Sequence, residues 1–250
     1  MEQDDRPQNV YDDPRFFAGY SQMDRFRSGW GAAMEHASFV ELLGDVAGRR
    51  VLDLGCGAGQ LALRLAQAGV ARVVGIDASE RMLEVARARS AHPRVAYCRA
   101  TMEDADFADG AFDLVVSSLA LHYVRDYAGL VRRIARWLAP GGRLVFSTEH
   151  PIYTARGSAE GWVVGPDGRR TAWALDHYAE EGVREHRWFV PGVRRYHRTL
   201  ATLLNGLIDA GLVIERVVEP APTDDWLRDH PEHGDERRRP MFLLVRAGKP

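Results

Sequence analysis

The run Val51-Leu52-Asp53-Leu54-Gly55-Cys56-Gly57-Ala58-Gly59 restricts this chain more than any other stretch. A short apolar segment of strand character leads straight into three glycines, and helical spacing begins directly behind them. Positions without a side chain let the backbone approach a ligand closely, and the N-terminus of the following helix favours electronegative groups. Such strand–turn–helix units build parallel sheets, whose ligands sit at the carboxyl ends of the strands near the point where strand order reverses.

The alternation continues downstream. Strands are predicted at 51–54, 72–77, 94–99, 113–117 and 144–148, with helices at 59–68, 79–89 and 127–138 between them. Ser79 is placed to cap the second of these helices, whose inward stripe is Met82, Leu83 and Ala86, and Pro140-Gly141-Gly142 ends the third. Ahead of this core, 14–43 carries apolar residues at helical spacing interrupted by Gly29 and Gly31, which predicts two short helices. After it the alternation stops. Residues 151–195 are rich in Trp, Tyr, Arg and Gly around a Pro166-Asp167-Gly168 turn, which reads as an inserted lid of hairpin character. A helix is predicted from Tyr196 to Ala210, then strands at 212–218 and 241–245 that pair antiparallel at one sheet edge across a polar loop.

The expected fold is therefore an α/β doubly wound, mostly parallel seven-stranded sheet with N-terminal helices and an inserted lid. Its expected parts are a tail and cap helices (1–43), a ligand-binding core (44–150), the lid (151–195) and the C-terminal part of the core (196–250). A chain of 250 residues with 27% charged residues accommodates this as one domain. Its formal net charge of -2 provides no long-range field for nucleic acid or an anionic membrane. The two cysteines, Cys56 and Cys98, form no disulfide framework or metal spacing. Neither a leader-like apolar run in 1–10 nor a spanning segment is visible, so the expected location is the cytoplasm.

With these motifs in place the sequence resembles the class I S-adenosylmethionine-dependent methyltransferases over roughly Arg49 to Ser147. Asp53, Gly55, Gly57 and Gly59 match that family's first motif, with Cys56 inside the loop. Asp77 matches its ribose-binding acidic residue, with Ala78 beside it at the implied cofactor site, and Ser79 to Leu83 match the stretch that follows, where Met82 is expected near the adenine. Glu103-Asp104, the strand ending at Ser117 and the turn Arg136 to Gly142 match three further elements. The resemblance implies S-adenosylmethionine as cofactor and S-adenosylhomocysteine as product. Thr101, Met102 and Glu103 are its implied adenine side, and Tyr11 and Tyr20 an N-terminal cover. One departure is Thr101, where the family has an acidic residue.

Other readings of the loop stay open. The glycines serve a tight turn equally well, and Gly57-x-Gly59-x-x-Ala62 with Asp77 fits a loose dinucleotide fingerprint. Asp53 argues against the latter, because a carboxylate there suits an ammonium and repels a pyrophosphate. Cys56 reads as a small buried residue rather than a nucleophile.

Methyl transfer from a sulfonium mainly needs alignment of the acceptor and, for some acceptors, a proton acceptor near neutral pKa. His150 after the fifth strand is the first candidate, followed by His122 and by His197 at the late helix. Tyr20, Tyr153, Trp173 and Tyr196 are expected to contact the acceptor beside His150 and His197. Trp162, Trp188 and Phe189 suit an aromatic pocket, and Arg184, Arg187, Arg194 and Arg195 suit an acidic group or a solvated face. The nucleic-acid amino-methylation motif is replaced by Ser117-Ser118-Leu119-Ala120, no Pro-Cys nucleophile is present, and no metal site is expected. The expected activity is methyl transfer to O, N or C of a small molecule, possessing no nucleic-acid or membrane partner, as monomer or homodimer. Alternatives are a same-fold enzyme that binds the cofactor without methyl transfer, an RNA or protein methyltransferase, and a nicotinamide oxidoreductase.

Overall fold

The computed structural model describes residues 7–27, 31, 33–156 and 161–250. Gly29 and the first part of the predicted tail lie outside them. The core alternates β1 (Arg50–Leu54), α4 (Gln60–Gln67), β2 (Arg72–Asp77), α5 (Glu80–Arg89), β3 (Val95–Arg99), β4 (Phe112–Ser118), α6 (Tyr127–Trp137) and β5 (Leu138–Glu149). Ahead of it, among the described residues, lie α1 (Pro14–Tyr20), α2 (Asp24–Arg27) and α3 (His36–Leu43), where two short helices were predicted. Behind it come α8 (Leu200–Asp209), β10 (Val213–Val218), α9 (Asp224–Asp229) and β11 (Phe242–Gly248).

The seven strands run in the order β10-β11-β5-β4-β1-β2-β3. β1 pairs parallel with both β2 and β4, so strand order reverses beside it. β11 is inserted antiparallel between β5 and β10, the edge pairing expected of the last two strands. Side-chain alternation distributes the strand residues between two cores. Leu52, Leu54, Val115, Leu144 and Phe146 pack against α6 and α8, whereas Val51, Leu114, Val116 and Val145 pack against α3 and α4. The helices are held by sequence-visible devices: Ser79 accepts from the Met82 N–H, Asp126 from the Gly129 N–H, and Thr199 from the Thr202 N–H.

Between β5 and α8 stand α7 (Pro151–Thr154) and two antiparallel ribbons, β6 (Trp162–Val164) with β7 (Arg170–Trp173) and β8 (Gly182–Trp188) with β9 (Val190–His197). Here the expectation for Tyr196 and His197 is corrected. They do not open the late helix; they end β9, opposite Val183 and Gly182, and the helix starts only after Thr199 supplies its cap. The polar 220–240 stretch likewise contains α9, capped by Thr223, and a 3-10 segment at Pro231–Arg238. The tip of the β8–β9 ribbon packs on the N-terminal helices. Phe16, Val190 and Val193 form a third small core with Tyr11, Tyr20, Tyr123 and Trp188 around it. Lid and N-terminus thus meet above the carboxyl edge of the sheet. Among the described residues no helix is long and apolar enough to cross a membrane.

Candidate active site

β1 carries Asp53 into the interior, where it is 1% exposed and its Oδ2 has no hydrogen-bond partner. Burial, and secondarily the neighbouring Asp77, pushes its carboxyl up to about 7. The chain then turns through Gly55 at φ 72°, a left-handed conformation, and a Cβ there would lie 2.5 Å from that of Ala120. The Gly55 and Cys56 N–H groups both donate to the Ile76 carbonyl at 2.9 Å, so the turn is tied to the end of β2. Asp77 completes the tie: Oδ2 accepts the Gly57 N–H at 2.8 Å and Oδ1 the Ser79 N–H at 2.9 Å. Burial raises the Asp77 pKa and these two bonds oppose the rise.

Three adjoining cavities open at this edge. The first encloses about 810 Å³, part of it open to solvent, between Gly55, Gly57, Asp77, Met82, Met102 and Glu103. Its roof is 7–11, the N-terminal segment. That segment is fastened at both ends. Asp12 Oδ1 accepts the Ser79 hydroxyl at 2.5 Å and the Arg81 N–H at 3.1 Å, and the Gln8 amide exchanges two hydrogen bonds with the Arg194 backbone on β9. The second cavity, about 480 Å³, holds Asp53 with Cys56, Ala58 and Gln60. The third, about 840 Å³, lies under the lid. Tyr20 and Ser118 line all three, which makes them the junction.

The third cavity is aromatic, with Tyr11, Tyr20, Tyr123, Tyr153 and Trp188 in its wall, and it carries two ion pairs. Arg195 reaches Glu149 at 2.8 Å and Arg25 reaches the buried Glu35 at 3.4 Å. Burial raises the Glu149 carboxyl and Arg195 offsets only part of the rise. His122 also lines it. Burial, then the charges of Arg195 and Arg25, hold its pKa well below the usual histidine range, so its ring is neutral.

The structure thus assembles most of the residues named from the sequence. Tyr11, Tyr20, Gly55, Gly57, Asp77, Ala78, Met82, Met102 and Glu103 line the first cavity, Asp53 and Cys56 the second, and Tyr20, His122 and Tyr153 the third. Seven others line none of the three. Gly59 starts α4 at φ 75°, where any side chain would overlap the Tyr97 hydroxyl. Thr101 closes a local turn with Asp104, and the buried Ser117 hydroxyl donates to the Leu54 carbonyl at 2.8 Å. Trp173 stacks on Tyr153 behind the wall, while Tyr196 lies on β9 under the Arg198 guanidinium.

The first-choice histidine is displaced as well. His150 caps α7 through Nδ1 and meets Glu219 through Nε2 at 2.9 Å, so both ring nitrogens are engaged. His197 is fully buried between the Thr154 hydroxyl at 2.8 Å and the Tyr178 carbonyl at 2.9 Å, pinning the lid. Sequence reasoning missed Ser118, Tyr123, Arg25 and Glu149. Glu149 had a signal: it is the last residue of β5, and strand alternation turns it to the opposite face from His150, its neighbour.

A buried, orphaned carboxylate (Asp53) and a half-buried one (Asp77) beside a side-chain-free turn suit a ligand with an ammonium and a hydroxyl-bearing ring. S-adenosylmethionine has both, and the residues present fit it. The comparisons agree. Residues 52–146 match the methyltransferase domain family model. The crystal structure of an S-adenosylmethionine-dependent methyltransferase from Mesorhizobium loti superposes with a TM-score of 0.83 at 44% identity, over 88% of this chain and 100% of that one. An uncharacterised Haemophilus influenzae protein is 34% identical over 96% of this chain and 97% of its own length. The ubiquinone biosynthesis O-methyltransferase of Alkalilimnicola ehrlichii is 44% identical over 112 residues, which span 44% of this chain and 45% of that enzyme. The chain belongs to the S-adenosylmethionine-dependent methyltransferases, and its cofactor is S-adenosylmethionine.

Proposed function

We propose that this methyltransferase acts on a small molecule held in the cavity under the lid. The observation that carries the reading is the shared lining: Tyr20 and Ser118 border both the Asp53 and Asp77 cavities and the aromatic one. Asp53 would hold the cofactor's ammonium and Asp77 its ribose hydroxyls, with Met82 and Met102 along the adenine. When bound, the cofactor supplies an electrophilic methyl group on a sulfonium. The chain's own residues do the rest. The Asp53 and Asp77 anchors fix orientation, the segment 7–11 covers the first cavity, and the lid ribbon with α1 partly covers the third. A cavity roofed on two sides suits a compact acceptor better than a nucleic-acid strand. The similar Alkalilimnicola enzyme is an O-methyltransferase of ubiquinone biosynthesis, which supports a small-molecule acceptor here.

The test offers cofactor with a labelled methyl group to the protein together with low-mass phenols, quinols and amines, bulk tRNA and total protein. Label in low-mass product supports the reading. Label that partitions with RNA or protein contradicts it. Release of adenosylhomocysteine is measured alongside, because binding without release would indicate an enzyme that uses the fold without methyl transfer.

A further inference from the structure

We infer that the acceptor is an uncharged ring compound bearing a hydroxyl group, and that Glu149, held in place by Arg195, receives the hydroxyl proton. This rests on the reading that the cavity under the lid is the acceptor site.

Aromatic walls usually attract cations, but here two of the wall's rings, Tyr153 and Trp188, already lie under guanidinium groups. The Arg195 guanidinium lies 5.7 Å from the ring centre of Tyr153 and 5.7 Å from that of Trp188. A second guanidinium, Arg239, stands 5.1 Å from the Tyr153 ring. An ammonium acceptor would have to share these rings with two fixed positive charges, with Arg25 also in the wall. The buried charges of the cavity meanwhile pair off, Arg195 with Glu149 and Arg25 with Glu35. That leaves no uncompensated buried charge to welcome an anion either. The exposed Arg187 stands at the periphery. A neutral guest with an apolar ring suits what remains.

The polar groups left over select its substituent. Arg195 satisfies Glu149 Oε1, while the buried Oε2 has no partner, nor do Arg195 Nε and His186 Nε2 in the same wall, so the carboxylate retains one acceptor position beside donors that a hydroxyl oxygen can meet. An acceptor O–H fills it. The alternative proton acceptors are poor ones. His122 is surrounded by Arg195 and Arg25, and burial holds the His186 pKa down to about 4. Glu149 departs in the opposite direction, towards a stronger base. In the step itself the acceptor oxygen forms the new O–C bond while the methyl–sulfur bond breaks and its electron pair stays on sulfur. The O–H proton passes to Glu149 Oε2, whose charge Arg195 stabilised beforehand.

The experiment titrates the adenosylhomocysteine-loaded protein with three probes of one shape: 2-naphthol, 2-naphthoate and 2-naphthylmethylammonium. Naphthol is expected to bind at least about ten-fold more tightly than the ammonium probe. Glu149→Gln keeps the acceptor oxygen but not the basicity. It is expected to bind naphthol and adenosylhomocysteine within about three-fold of the unsubstituted protein, while its kcat for methyl ether formation falls by about 100-fold or more. Preference for the ammonium probe, failure to bind or methylate naphthol, or an unchanged kcat in Glu149→Gln overturns the inference. If adenosylhomocysteine binds and naphthol does not, this inference fails alone. If methyl label reaches only RNA or protein, the small-molecule reading fails with it.

Discussion

Asp77 Oδ2 accepts the Gly57 N–H at 2.8 Å, which fastens the end of β2 to the turn that leaves β1. The same carboxylate therefore shapes the glycine turn and borders the cavity that the turn creates. Asp77→Ala removes both contributions. Adenosylhomocysteine affinity is expected to fall by about 10- to 100-fold, the equivalent of losing charge-assisted hydrogen bonds, when measured by calorimetry. An unchanged affinity would remove Asp77 from the cofactor site.

Asp53 makes the stability of the free protein depend on pH. Its folded pKa, raised from 3.8 to about 7, means that the folded state holds a proton the unfolded chain has lost. Stability from this group is fully present below the unfolded value and is lost as pH rises through about 7, with a slope of at most about 1.4 kcal/mol per unit. Asp53→Asn is expected to flatten that slope and to be more stable at pH 8 in urea unfolding. Cofactor binding reverses the preference, because an ammonium favours the ionised carboxylate. Calorimetry with adenosylhomocysteine at pH 6 in buffers of different ionisation enthalpy should therefore show proton release, and its absence would contradict the pairing.

The N-terminal cover is held to α5 by Asp12, which accepts from the Ser79 hydroxyl and the Arg81 N–H. Asp12→Ala loosens one end of the roof and leaves the floor intact. Its main effect is expected on dissociation, with stopped-flow release of adenosylhomocysteine about three- to ten-fold faster and a stability loss of about 1 kcal/mol. Release at the original rate would mean that the cover does not gate the cofactor.

The displaced histidines separate structure from chemistry. His150→Ala breaks the α7 cap and the contact to Glu219, and His197→Ala removes the bond to the Tyr178 carbonyl and leaves the buried Thr154 hydroxyl only its 3.4 Å bond to the Pro151 carbonyl. Each is expected to cost about 1–3 kcal/mol in chemical unfolding and to leave adenosylhomocysteine affinity unchanged. A large loss of kcat at unchanged stability in His150→Ala would restore its role at the acceptor.

The core was legible because its signals are redundant. Val51 to Leu54, Arg72 to Asp77 and the Ser79 cap each combine an apolar run, a glycine or a capping residue, and the structure keeps all of them. The lid was legible only as a ribbon-rich insertion. Aromatic residues at Tyr196 and His197 fit a strand end and a helix start equally well, and pairing with Val183 and Gly182 decided it. At the cavities the residues named from the sequence and those in the lining differ by single positions: Ser117 beside Ser118 and His150 beside Glu149. Alternation sends neighbours to opposite faces, and which face opens on the cavity is fixed by the lid and α1, long-range packing that no local pattern encodes.

The cavities proposed for cofactor and acceptor meet at Tyr20 and Ser118. A crystal structure of the adenosylhomocysteine complex tests it most directly. The amino group is expected on Asp53, the ribose on Asp77, and the sulfur at Tyr20 and Ser118 facing the Glu149 cavity. A sulfur directed away from that cavity, with the ribose off Asp77, would contradict it.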